Sequence, residues 1–224
     1  MKKPRKIIVH VAISADGYIA RPDGDVAWLD RPRPKGNYGY GEFFKTIDTI
    51  LWGRKTYAKG IEMGMKGRGL GPGIKNYLFS RRPQESLETG FEWINEPIKT
   101  FAQRLRAQSG RDIWMMGGGG IIASFLDEGE IDEFSIHVIP IFIGEGIPLV
   151  QPRHRSIRLD LLSSKTFADG VVHLNYSVKD RSYKPRAQSS CSMPFSSRHP
   201  GSSRFVRPIP CVRASSARSA NSLE

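Results

Sequence analysis

Residues 112–126, DIWMMGGGGIIASFL, decide the fold, because a short apolar run meets four glycines and then continues with apolar residues at helical spacing. The pattern predicts a strand at Asp112–Met116, then a loop at Gly117–Gly120, then a helix. Backbone N–H groups and the helix dipole favour an anion there, and glycines let a pyrophosphate approach the backbone. We therefore interpret the loop as phosphate-binding and expect a Cβ at Gly118 or Gly119 to meet the ligand and not the core. A turn that only packs a helix tightly against a sheet is the alternative.

The length and the charge of the chain limit the classes of protein to which it can belong. The chain has 224 residues with 39% apolar content, enough for one sizeable core. Its net charge is +12, but residues 181–224 hold 8 of the 34 Lys and Arg and only 1 of the 22 Asp and Glu. Both cysteines, Cys191 and Cys211, also lie in that segment. The remainder therefore has neither a disulfide framework nor a thiolate metal site, which suits a cytoplasmic protein.

The last 44 residues differ in character from the rest of the chain. Residues 181–224 contain 12 Ser and 5 Pro, lack apolar periodicity and carry scattered basic residues. They are predicted to be a disordered tail, and residues 1–180 the folded domain. Without interleaved aromatic residues, the basic tail gives no reason to expect a nucleic-acid partner. No segment approaches the roughly 18 apolar residues of a membrane helix, so no membrane partner is expected either.

Strand and helix patterns alternate along the first 180 residues. Strands are predicted at Lys6–Ala15, Thr49–Trp52, Asn76–Ser80, Phe91–Ile94, Asp112–Met116 and Glu133–Ile143, and the apolar spacing after Pro97 and after Gly120 predicts helices. Residues 163–167 and 171–178, joined by Ala-Asp-Gly, predict a hairpin. The fold class is therefore α/β: a mixed, mostly parallel central sheet flanked by helices, with a C-terminal antiparallel hairpin.

Three motifs stand in the same order as in one superfamily. They are LWGRKTY at residues 51–57, FSRRP at residues 79–83 and MGGGG at residues 116–120. Together they resemble the dihydrofolate reductase fold. The stretches SADGYIA at residues 14–20 and VIPIFIGEG at residues 138–146 look more closely like the branch that contains the reductase domain of the bifunctional bacterial riboflavin biosynthesis protein. The resemblance covers about the first 180 residues.

The resemblance implies a homodimeric, NADPH-dependent oxidoreductase that acts on a small-molecule substrate, as the 5-amino-6-(5-phosphoribosylamino)uracil reductase of riboflavin biosynthesis does. In that family the Gly-Arg-x-Thr turn and the glycine loop hold the NADPH pyrophosphate, and a Ser-Arg pair meets the adenosine 2′-phosphate. The positions implied to bind cofactor are Ala12, Gly53, Arg54, Lys55, Thr56, Ser80, Arg81, Met116, Gly117, Gly118, Gly119, Gly120 and Ile121. The chemistry agrees, since a dianionic phosphate calls for hydroxyl and arginine donors.

The substrate side departs from the family pattern. Dihydrofolate reductases carry an acid in the helix before the Gly-Arg turn, where this chain has Asn37, with Glu42 the nearest acid. The riboflavin reductases carry a glutamate just before the paired glycines, where this chain has Met116. The candidates for supplying a proton are Asp16, Asp30, Glu42 and His137, of which Asp16 and Glu42 are taken as catalytic. Asp16 can also be only a turn residue, and His137 only a core histidine.

Other interpretations of the glycines stay open. Gly118-x-Gly120-x-x-Ala123 fits the Rossmann fingerprint, with Glu145 in place of the ribose-binding acid, and would predict a NAD oxidoreductase. A dihydrofolate reductase and a catalytically idle dinucleotide-binding module are the remaining alternatives. No metal site is expected, because the five histidines show no ligand spacing.

Overall fold

The structure is a computed structural model that describes residues 4–32, 34, 36–65, 70–83, 86–153 and 155–179. The strands are β1 (Ile7–Ser14), β2 (Tyr18–Ala20), β3 (Ile47–Gly53), β4 (Lys75–Phe79), β5 (Phe91–Ile94), β6 (Asp112–Gly117), β7 (Glu133–Ile139), β8 (Ile147–Pro148), β9 (Leu159–Thr166) and β10 (Val172–Val178). The helices are α1 (Tyr40–Thr46), α2 (Arg54–Glu62), α3 (Ile98–Ala107) and α4 (Gly119–Asp127), with short 3-10 turns at Ala27–Leu29 and Asn37–Gly39.

Eight of these strands form one sheet with the order β5-β4-β3-β6-β1-β7-β10-β9, and β2 pairs separately with β8. The strands from β5 to β7 in that order are parallel, whereas β10 is antiparallel to both β7 and β9. The predicted mixed, mostly parallel sheet with a C-terminal antiparallel hairpin is therefore confirmed.

The central strands are apolar on both faces because helices cover both sides of the sheet. In β1, Ile7 and Val9 belong to the core beneath α3 and α4, together with Phe101 and Phe125 of those helices. The opposite face carries a second core, in which Trp114 of β6 packs with residues of α1 and α2. This two-sided burial explains why the strands lack the apolar and polar alternation of a half-exposed sheet.

Two strand predictions had one end wrong by four residues, whereas the other strand ends differ by at most two. The strand predicted at Glu133–Ile143 stops at Ile139, because Pro140 has no N–H to donate and the Ile141 N–H turns back to the Ile139 carbonyl at 2.8 Å. The first strand of the hairpin begins at Leu159, four residues before the predicted start. Its pairing with β10 is irregular and most of its side chains are exposed, so no alternation marked its beginning.

The predicted tail, residues 181–224, lies outside the described residues, so its disorder and its boundary stay predictions. In the ranges that the structure does describe, no helix is long and apolar enough to cross a membrane.

Candidate active site

The carboxyl ends of β1, β3, β4 and β6 meet at one edge of the sheet. Trp52 at the end of β3 pairs with Gly117 of β6, and Gly53 pairs with Phe79 of β4. The segments that follow these strands therefore leave the sheet side by side. Open α/β sheets bind their ligands at this edge, so the motifs expected to hold a cofactor are brought together.

Two helices begin next to each other at this edge. Gly53 is the N-cap of α2, and Gly118 is the N-cap of α4. A Cβ added at Gly53 would lie 3.0 Å from the carbonyl oxygen of Gly117, and one added at Gly118 would lie 3.3 Å from Oγ1 of Thr56. The first N–H groups of each helix have no partner within it, and both positive dipole ends lie in one small region. An anion placed between the helices would be stabilised by both.

The glycines of the loop differ in what they contact. Gly117 has φ +107, so residue 117 favours glycine for its conformation. A Cβ at Gly118 would meet only side chains, at 3.3 Å or more. The expectation that Gly119 faces only a ligand is wrong, because its Cβ would lie 2.3 Å from the carbonyl oxygen of Pro148. Gly119 allows α4 to pack against the segment after β8, where the Gln151 N–H also donates to the Gly119 carbonyl at 3.2 Å.

Exposed cationic side chains flank the two helix starts, at Arg54, Lys55, Arg81 and Arg82. Arg54 follows β3 directly, and Ser80 follows β4 directly on the neighbouring strand. The Ser80 hydroxyl donates to the Arg82 carbonyl at 2.6 Å and accepts from the Arg82 N–H at 3.2 Å. These two bonds fix the turn that carries Arg81, so this edge presents cations beside the helix N-termini.

Asp16 is held in a turn by several donors. Its carboxylate accepts from the Ser14 hydroxyl at 2.5 Å, from the Gly144 N–H at 2.8 Å and from the Ile143 N–H at 3.2 Å. The Ser14 bond first, and then the backbone bonds, lower the pKa of Asp16. The carboxylate is therefore charged at neutral pH and joins the end of β1 to the turn after β7. This geometry favours a structural role for Asp16 over proton donation.

Glu42 faces away from the sheet. Tyr40 and Phe43 turn the apolar face of α1 inward, and Phe43 stacks on the His10 ring with 3.9 Å between centroids. Glu42 is exposed, as Asp30 is. Since neither carboxylate lies on the sheet face beneath α1, the geometry gives no support to a catalytic role for Glu42.

Three histidines from β1, β7 and β10 form a cluster on that face. The rings of His137 and His173 stack with their centroids 4.0 Å apart. The centroid of the His10 ring lies 5.2 Å from that of the His137 ring. The Ser135 hydroxyl oxygen lies 2.9 Å from Nδ1 of His10 and 2.8 Å from Nε2 of His173. Nε2 of His137 lies 3.2 Å from the backbone oxygen of Tyr38. Within the described part of the chain, no group of three or more His, Cys, Asp or Glu side chains is placed to hold a metal ion.

The cluster is uncharged at neutral pH. Burial, and then the neighbouring imidazoles, lowers the pKa of His10 to about 3 and that of His137 to about 4. Burial also lowers the pKa of His173. Next to the cluster, the Tyr38 hydroxyl donates to Asp169 at 2.5 Å and lowers the pKa of that carboxyl, which also pairs with Arg31. The Asp169 carboxylate is thus already engaged.

Sequence reasoning singled out His137 but missed His10, Ser135 and His173. The signal was the alternation of residues along each strand, which puts residues 10 and 12 on one face of β1 and residues 135 and 137 on one face of β7. That signal identifies a cluster only once β7 is known to lie between β1 and β10.

The sheet order counts against the Rossmann interpretation. In a Rossmann unit the strand that carries the ribose-binding acid is the neighbour of the glycine-loop strand. Here β7, which precedes Glu145, is separated from β6 by β1. Glu145 is exposed, in the turn between β7 and β8. The geometry therefore favours a cofactor held by the two helix starts over one bound to Glu145.

The chain is similar to known proteins in both sequence and structure. The family model of the RibD C-terminal domain matches residues 87–173. The uncharacterized protein YwjB of Bacillus subtilis (strain 168) is 35% identical over 177 residues, which cover 77% of this chain and 97% of that protein. The crystal structure of a "putative riboflavin biosynthesis protein" from Shewanella sp. PV-4 aligns with TM-score 0.69 and 25% identity over 78% of this chain and 99% of that one.

A more distant structure shows the same fold. Dihydrofolate reductase from Enterococcus faecalis, complexed with NADP(H) and RAB-propyl, aligns with TM-score 0.58 and 16% identity. The alignment covers 78% of this chain and 97% of that one. The sheet and helices described above are thus those of the dihydrofolate reductase fold.

Proposed function

Since the chain belongs to the RibD C-terminal domain family and has the dihydrofolate reductase fold, we propose that it is an NADPH-dependent reductase of a small heteroaromatic or imine-containing metabolite. One observation carries the proposal: the N-termini of α2 and α4 lie within contact distance at the carboxyl edge of the sheet. Gly118 lies between them, and a Cβ there would contact the side chains of Thr56 and Ile19 but no backbone. Two adjoining helix starts suit a pyrophosphate, which has two negatively charged groups to place.

The pyrophosphate of NADPH would lie between residues 53–56 and residues 117–121. Thr56 supplies a hydroxyl at the meeting point, and the first turn of α4 supplies backbone N–H groups. Gly53 is required for packing, because its Cβ would meet both Gly117 and Ile121 at 3.0 Å. Gly118 is the glycine whose Cβ would instead intrude on the bound phosphate.

The 2′-phosphate of NADPH would be recognised by Arg81 and Arg54, while the Ser80 hydroxyl holds the turn that carries Arg81. The phosphate carries close to two negative charges, and both guanidinium groups are exposed at the sheet edge where it would bind. One charged hydrogen bond contributes ~1.5 to 3 kcal/mol, so NADPH should bind at least about 10-fold more tightly than NADH.

The nicotinamide would lie over the carboxyl ends of β1 and β6, at Ala12 and Met116. Both side chains are only half-buried, whereas His10 and Trp114, two residues earlier in each strand, are buried. When bound, NADPH supplies a hydride for an electron-poor C=N or C=O carbon. The chain's part is to hold the substrate ring against the nicotinamide at this half-open surface. With Asp16 charged, we propose that solvent supplies the proton that completes the reduction.

Loss of NADPH absorbance tests the proposal against a panel of flavins, pteridines and aminopyrimidines. We expect NADPH to be consumed with at least one of these rings. Dihydrofolate should be a poor substrate, because Asn37 has no proton to give and Glu42 faces away. If NADPH binds but no ring is reduced, the chain is an idle dinucleotide-binding module and the reductase proposal is wrong.

A further inference from the structure

His137 lies directly beside Ala12, one of the two residues over which the nicotinamide is proposed to lie. It is the register partner of Ala12 in the parallel pair of β1 and β7, and His173 is its partner in β10. Side chains of register partners stand on the same face, with the strands about 4.8 Å apart. A nicotinamide that covers Ala12 and Met116, and the substrate ring held against it, would therefore have the His137 imidazole at their edge.

The contacts of His137 determine which of its nitrogens carries the proton. The backbone oxygen of Tyr38, 3.2 Å from Nε2, can only accept a hydrogen bond, so Nε2 donates. Since the ring is neutral, Nδ1 has the lone pair and is an acceptor. Among the described residues, no hydrogen bond engages Nδ1.

The surroundings keep His137 in this state. The groups that face it are the imidazoles of His10 and His173, and a charge on one ring disfavours a charge on the next. Lys165, which pairs with His173 across the hairpin, adds a positive charge nearby. The anionic carboxylate of Asp169 is engaged by the Tyr38 hydroxyl and by Arg31.

We propose that His137 selects the substrate, by accepting at Nδ1 a hydrogen bond from a ring N–H of an uncharged planar heterocycle that is held against the nicotinamide. This inference rests on the proposed function, because it takes the nicotinamide to lie at Ala12 and Met116. It makes His137 a specificity-determining residue and not a proton donor. A cationic ring is disfavoured, since Asp16 and Asp169 are both engaged elsewhere and Glu42 faces solvent.

Two matched rings test the inference on the full chain in the presence of saturating NADP+, which donates no hydride. Lumazine has ring N–H groups, and its N,N-dimethyl derivative has the same uncharged ring system without them. Fluorescence titration should show lumazine binding at least about fivefold more tightly, since an acceptor left unsatisfied in a partly buried site costs at least ~1 kcal/mol. Equal binding of the two rings by the wild-type chain would overturn the inference.

Substitutions separate the hydrogen bond from the added bulk of the methyl groups. In His137→Phe the preference for lumazine should fall to about twofold or less, whereas His137→Asn, which keeps an acceptor oxygen, should retain a preference. An undiminished preference in His137→Phe would show that bulk alone discriminates, and the inference would be wrong. If circular dichroism shows that His137→Phe does not fold, the inference is tested by the relative affinities of the two rings for the wild type and for His137→Asn. A wild-type chain that binds neither NADPH nor NADP+ refutes the proposed function instead.

Discussion

Substitution of the two adjacent glycines Gly118 and Gly119 by alanine should produce opposite effects. A Cβ at Gly118 would be 3.3 Å from Oγ1 of Thr56 and 3.6 Å from Cδ1 of Ile19, and its φ of −81 suits alanine. We therefore expect Gly118→Ala to cost less than about 1 kcal/mol of stability while placing a methyl group where the pyrophosphate is proposed to bind. A Cβ at Gly119 would be 2.3 Å from the Pro148 carbonyl oxygen, so backbone must move. Overpacking of this kind costs ~1 to 3 kcal/mol.

Thermal unfolding with and without NADPH separates the two effects. For a domain of this size 1 kcal/mol shifts Tm by about 2 to 4 °C, so Gly119→Ala should melt about 2 to 12 °C below the wild type. NADPH at 100 times the wild-type Kd adds ~2.7 kcal/mol to the native state. If Gly118→Ala weakens binding tenfold, the same concentration adds only ~1.4 kcal/mol, so the shift in Tm is halved.

Gly120→Ala is a matched control for the helix start, because its Cβ would meet only the end of the Gln151 side chain, at 3.4 Å. It should unfold at or above the wild-type temperature, since alanine favours helix over glycine by ~1 kcal/mol. A Gly118→Ala protein that keeps the full NADPH shift would refute the phosphate-loop assignment. A Gly119→Ala protein as stable as the wild type would refute the packing argument.

Three further results are expected. The pKa of His10 is lowered from 6.5 to about 3, so between these values the unfolded chain binds more protons and stability falls as the pH falls. From pH 7 to pH 5 the free energy of unfolding should fall by about 2 kcal/mol for this reason, as measured by urea unfolding. In His10→Asn the fall should be smaller by that amount. If the variant and the wild type lose equal stability, His10 is not the cause. Asp16→Asn should lower Tm at neutral pH yet leave NADPH affinity within about twofold, whereas lost turnover at full stability would restore Asp16 as catalytic. A chain that ends at Asp180 should unfold at the full chain's midpoint, and failure to fold would place the tail in the domain.

The sequence specified most of the fold because its signals were local. The apolar run and glycines of residues 112–120 predicted β6, the loop and the start of α4 to within two residues of their observed bounds. The strand predicted at Thr49–Trp52, observed as β3, was found in the same way. The order of the strands in the sheet depends on residues far apart in the chain, so no local pattern predicted it. In the structure β1 lies between β6 and β7, and this order brings Ala12 beside His137.

The burial of charged side chains also could not be predicted from the sequence. Arg5 stands in the basic segment MKKPRK, yet only 5% of it is exposed. Its guanidinium pairs with Asp48 and donates to the Thr49 hydroxyl at 2.7 Å. Gly119 is a similar case, since four equal glycines gave no means of separating the one that packs against Pro148 from the one that faces the proposed ligand.

The proposal that the helix starts and their flanking cations bind NADPH is tested most directly by calorimetric titration of the full chain with NADPH and with NADH. NADPH should bind at least about 10-fold more tightly. Arg81→Ala should narrow that gap and leave NADH affinity nearly unchanged, because only NADPH carries the 2′-phosphate. Equal affinities for the two cofactors, or no binding of either, would contradict the account.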